Sequence, residues 1–114
     1  MKPEYKPGDL VEIVRHGNFT LYRLSEGGMH YLRECPTKEF EVLPSLKYSH
    51  GNIFQNIEGK IGLIVYVIRN RLTQPTGYRV LIEGHEMFCK SKVGNKYFKL
   101  RGNQHDESGG SSQI

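Results

Sequence analysis

The chain contains no tryptophan and only two cysteines, Cys35 and Cys89, far apart in the sequence. They make no CxxC pair and no metal-ligand spacing, and a single disulfide between them is the alternative to two free thiols. Two lone thiols read as small buried side chains in a reducing compartment. Long hydrophobic runs are also missing. The longest, residues 61–68, falls far short of the ~20 residues that cross a bilayer, so no membrane partner is expected. The opening "MKPEYKPGD" lacks an apolar h-region, so secretion through a signal peptide is not expected. Catalytic signatures are absent as well: no GxSxG, no HExxH, no phosphate-binding loop and no dinucleotide fingerprint. The five histidines, at positions 16, 30, 50, 85 and 105, are scattered. His85 and Cys89 lie four apart, but a strand would separate them by ~13 Å, too far for one ion. The expectation is therefore a protein that is not an enzyme, with no cofactor and no metal.

What the chain does have is glycine, 13 residues of it, and seven tyrosines among 114 residues. With β-branched and aromatic residues between the glycines, this composition favours a turn-rich β protein of one domain. The net charge of +4 is unevenly placed. Residues 1–58 carry 7 basic and 8 acidic side chains, residues 59–101 carry 9 and 2, and residues 102–114 carry two acidic and no basic ones. The central net of +7 sits on the segment with the clearest pattern.

That pattern is one of short strands. Turn chemistry at Pro7, Gly8 and Asp9 leads into a strand over 10–14, with Val11 and Ile13 on one face. "FTLYRL" and "MHYLREC" form a strand pair around the loop 25–28, and "KEFEVL" alternates like a half-exposed strand. "PSLKYSHGNIFQNIEG" shows no period and reads as a long loop with at most a short helical turn. Residues 61–68 are apolar on both faces: Ile61, Leu63, Val65 and Val67 on one, Ile64, Tyr66 and Ile68 on the other. A central or strongly bent strand fits that. A turn-rich loop follows to Gly77, then a strand over 78–83 with Tyr78, Val80 and Ile82 inward. Glu83-Gly84 is a tight hairpin signal, and 85–90 returns with Met87 and Cys89 on one face. After a linker over 91–95, "KYFKL" gives the last strand, and the Gly/Ser-rich residues 102–114 read as a flexible tail. The expected fold is all-β: a small, partly open barrel over residues 1–101, with residues 15–58 as an insertion after strand one.

"KPGDLVEIV", "EGKIGLIVYVI" and "YRVLIEG" together resemble the SH3-like small barrels, particularly the KOW type. The resemblance covers roughly residues 7–14 and 59–100 and omits the 15–58 excursion. The same grouping is similar to small barrel proteins encoded by bacteriophages. That likeness implies a virion or assembly component, located in the cytoplasm or in the particle.

Two binding chemistries compete. Arg69, Arg71, Arg79, Lys90, Lys92, Lys96, Lys99 and Arg101 are interleaved with Tyr66, Tyr78, Phe88 and Tyr97. Cations that neutralise phosphates beside rings that stack on bases would bind DNA or RNA. Alternatively, those charges are the solvated face of a small barrel. The excursion offers a different surface. It is nearly neutral and aromatic, and Tyr22, Tyr31, Phe40, Tyr48 and Phe54 are its candidate anchors for a protein partner. An excursion folded back as an extra hairpin would use the same residues for packing. Assembly with protein partners is the leading reading, and nucleic-acid binding the alternative.

Overall fold

The computed structural model describes residues 4–37, 48–49 and 52–103. Nine strands account for most of them: β1 Asp9–Ile13, β2 Phe19–Glu26, β3 Met29–Pro36, β4 Tyr48–Ser49, β5 Asn52–Asn56, β6 Ile61–Arg69, β7 Pro75–Ile82, β8 His85–Lys90 and β9 Phe98–Asn103. A helix, α1 Ser91–Tyr97, precedes β9. The hairpins form where turn chemistry asks for them. β2 and β3 are joined by Gly27 and Gly28, at φ 57° and 79°. β7 and β8 are joined by Glu83 and Gly84, at φ 51° and 82°. Two consecutive positive φ values give the turn whose twist matches the flanking strands.

The strands form one curled sheet, a partly open all-β barrel, in the order β4-β5-β2-β3-β8-β7-β6-β1-β9. The run β8-β7-β6-β1-β9 is the five-strand set expected from residues 7–14 and 59–100, with β1 between β6 and β9. The excursion after β1 behaves differently from a simple insertion. It supplies β2 to β5 and extends the same sheet. Among the described residues, its only strand-to-strand register pair with the rest is the parallel bridge Tyr31↔Phe88 between β3 and β8. The sheet thus has two antiparallel halves and one narrow seam.

Several boundaries depart from the sequence reading; β7, for instance, starts at Pro75, inside the loop expected to run to Gly77. Part of the expected loop over 44–59 is strand, because β5 pairs with β2 from Tyr22↔Asn56 to Ser25↔Ile53. The expected linker over 91–95 is helical. The tail begins later than residue 102, because Gly102 and Asn103 pair with Leu10 and Asp9. The "KEFEVL" strand and residues 104–114 lie outside the described residues.

The core sits inside the curl. Val11, Ile13, Leu21, Ile57, Ile64, Tyr78, Val80, Ile82, Cys89 and Tyr97 are fully buried there. Burial of such apolar area is the main stabilising term, about 25 cal/mol per Å² removed from water. Tyr5 meets the rings of Tyr78 and Phe98 edge-on, and its hydroxyl donates to the Phe98 carbonyl oxygen at 2.7 Å. Burial raises the pKa of Tyr5 and Tyr78, and pushes the Cys89 thiol up to about 12. Both cysteines are free and buried. Helix α1 lies against Tyr78 through Gly94. A Cβ there would fall 2.8 Å from Tyr78 Cδ2, so only glycine lets the helix approach this closely.

Candidate functional site

The outer face of the β1–β6–β7 ladder carries an apolar strip. Its origin is a bulge in β6. Ile64 pairs with Val80 and Tyr66 pairs with Arg79, so Val65 is an extra residue and the alternation resets. Before the bulge, Gly62 and Ile64 face the core; after it, Val67 does. Ile61, Leu63 and Tyr66 are therefore left on the outer face. This corrects the simple alternation, which placed Leu63 and Val67 together and Tyr66 opposite them. Leu10 lies beside Leu63 on β1, and Leu81 beside it on β7. Ile61 is 49% exposed, Tyr66 56% and Leu81 37%. The strip is contiguous because its members are direct cross-strand or same-face neighbours.

Ion pairs border the strip. Lys60 meets Glu83 at 3.0 Å next to Ile61, and Arg101 meets Glu12 at 3.5 Å, with Glu12 paired across to Ile61. Arg79 lies between Tyr66 and Leu81 and meets Glu86 at 3.2 Å. Arg69, past Tyr66 on β6, meets Glu4 at 2.7 Å and also donates to the Thr73 carbonyl oxygen. Surface pairs of this kind contribute about 0–1 kcal/mol each. These pairs give the apolar strip a charged rim.

The eight cations proposed for nucleic acid therefore divide. Arg69, Arg79 and Arg101 are engaged with carboxylates around the strip, and Lys96 with Glu34 at 3.1 Å. Arg71, Lys90, Lys92 and Lys99 have no carboxylate partner among the described residues. Lys92 and Lys96 share a groove on α1 with His16 and Asn95. Arg71, in the β6–β7 loop, and Lys99, on β9, are not part of that groove.

The five candidate anchors divide too. Tyr22 is 2% exposed, so it packs inside the folded chain and is no surface anchor. Alternation alone could not reveal that, because β2 is buried from Thr20 to Arg23. Tyr31 is half-buried at the seam, beside Phe88. Tyr48 and Phe54 lie on β4 and β5, and Phe40 falls outside the described residues.

The seam itself gathers polar groups. Ser25 and His30 pair across β2 and β3, with Ser25 Oγ 2.6 Å from His30 Nδ1. Arg23 Nε donates to Ser25 Oγ at 3.1 Å. The His85 ring of β8 lies 5.1 Å from that of His30. Desolvation, then the charges of Arg23 and His85, lower the His30 pKa. A second tie crosses nearby. Tyr97 and Lys96 of α1 both bond Glu34 Oε2 of β3, at 2.6 and 3.1 Å. The Tyr97 bond is the main reason the Glu34 carboxyl titrates below its usual range.

Among the described residues, no three His, Cys, Asp or Glu side chains converge as a metal site, and no helix is long and apolar enough to cross a membrane. No protein-family model, curated protein or solved structure matches this chain.

Proposed function

We propose that this chain is a non-enzymatic interaction subunit that packs the Leu63 strip against a protein partner in a larger assembly. A bacteriophage particle is the assembly suggested by the resemblance of "EGKIGLIVYVI" and "YRVLIEG" to phage-encoded small barrels. One observation carries the reading: Ile61, Leu63, Tyr66, Leu10 and Leu81 form a half-exposed apolar strip bordered by charged pairs. Solvent contact at several large apolar groups on the outer face of the ladder is a standing cost that a partner would relieve. The test is to replace Leu63 or Leu81 with Asp and measure the sedimentation of the chain in its native assembly. Release of a folded monomer supports the reading, and unchanged assembly by both variants contradicts it.

A second reading, contact with DNA or RNA, draws on the α1 groove of His16, Lys92, Asn95 and Lys96. It requires that changing Lys92, Lys96 and Arg71 weaken binding to labelled duplex DNA or single-stranded RNA and reduce its salt slope. Affinity that is unchanged in those variants removes the reading.

A further inference from the structure

We propose that the β3–β8 seam is a proton-operated latch, closed while His30 is neutral and opened when His30 takes up a proton on Nδ1. The donor and acceptor inventory fixes the protons. A guanidinium only donates, so Ser25 Oγ accepts from Arg23 Nε. The Ser25 hydroxyl proton is then free to point at His30 Nδ1, 2.6 Å away, and the imidazole carries its own proton on Nε2. This relay works only for neutral His30. A second ring proton would sit on Nδ1, facing the Ser25 hydroxyl and Arg23 Nη2, which is 3.4 Å away.

Ser25 Oγ can turn to accept that proton, but among the described residues no carboxylate bonds His30 to balance the charge. Arg23 is 8% exposed and has no carboxylate partner among the described residues. A second cation beside a buried one is strongly disfavoured. From β8, the His85 ring faces that of His30 at 5.1 Å. Glu86 of β8 and Arg79 of β7 share a groove of about 390 Å³ with His30, but they are engaged with each other at 3.2 Å. The location gives the charge its leverage. Among the described residues, Tyr31, the next residue on β3, makes the only register pair that joins the two halves of the sheet.

The sign follows from linkage. Neutral His30 is favoured in the folded state, so the open state binds more protons. The latch is closed at and above neutral pH. It weakens as pH falls through the ordinary histidine range, 6.5 for this group when unperturbed, towards the lowered folded value. The groove lined by Met29, Tyr31 and Phe88 then widens along the seam.

Amide hydrogen exchange on the full chain, corrected for intrinsic rates, tests this at pH 7.5 and 5.5. Opening at β3 and β8 amides should rise about threefold or more on acidification, while β6 and β7 amides stay protected. His30→Gln, whose side-chain oxygen can still accept from Ser25, should remove the rise. Equal acid opening in His30→Gln, or no opening in the unmodified chain, overturns the latch. Imidazole ¹⁵N spectra of the unmodified chain give a second readout that needs no variant. His30 should hold its proton on Nε2 at neutral pH and titrate below 6.5. A proton on Nδ1, or titration above that value, also overturns it.

Discussion

Tyr97→Phe isolates one bond that spans the two halves of the sheet. The ring is fully buried, with the His16 ring edge-on at 5.9 Å, and phenylalanine keeps that packing. Only the hydroxyl is lost, and with it the 2.6 Å bond to Glu34 Oε2. A hydrogen bond to a charged acceptor contributes about 1.5–3 kcal/mol. Two features reduce that here. The Glu34 side chain is 35% exposed, and Lys96 stays on the same oxygen at 3.1 Å. The expected loss is about 1 kcal/mol at pH 7, or about 4 °C in Tm for a chain of this size. The pH dependence is the sharper signature. The folded Glu34 carboxyl titrates below its ordinary 4.5, so its contribution is complete above that pH. It fades as pH falls through the folded value. Urea unfolding of both proteins at pH 7 and near pH 3 should give a difference that is largest at pH 7 and shrinks in acid. An equal difference at both, or none at pH 7, would refute the assignment of this bond as a charge-assisted tie.

Other outcomes follow from the same structure. Leu81→Asp should leave urea stability within about 1 kcal/mol, because the side chain is already 37% exposed, while weakening assembly at least about tenfold, or 1.4 kcal/mol. A fold lost along with the assembly would place Leu81 in the core instead. Gly94→Ala should destabilise by about 1–3 kcal/mol in urea, despite the helix preference for alanine. The new methyl would meet Tyr78 Cδ2 at 2.8 Å and Phe98 Cε2 at 2.9 Å, and Tyr78 is held by its 2.8 Å bond to Asn95. A gain in stability would mean that α1 can lift away. Raising salt to ~1 M should cost little stability, since the six ion pairs among the described residues are all partly exposed. A large drop in the urea midpoint would contradict that.

Local chemistry made much of the barrel legible. The inward set Tyr78, Val80 and Ile82, the turn at Glu83 and Gly84, and the buried pair Met87 and Cys89 all follow from period-2 alternation and turn residues. The strip centred on Leu63 was not legible. β6 is apolar on both faces, and the extra residue Val65 reverses the alternation without any glycine or polar signal to mark it. The pairing of the cations was hidden for another reason. Glu12 and Arg101, or Glu4 and Arg69, meet only after the sheet closes. The place of the excursion was hidden because one parallel pair, Tyr31↔Phe88, attaches it to the sheet, and no short-range pattern encodes that contact. Tyr22 shows the limit of composition, since an aromatic in a neutral segment suits an interface and a core equally well.

The most direct test of the proposed role is site-specific photo-crosslinking in the cells that make the protein. A benzophenone side chain is placed at position 81 in the strip and at position 71 in the exposed β6–β7 loop. The strip reading requires a discrete protein adduct from position 81, resistant to nuclease and absent from position 71. A nuclease-sensitive adduct, or the same weak adducts from both positions, would contradict it.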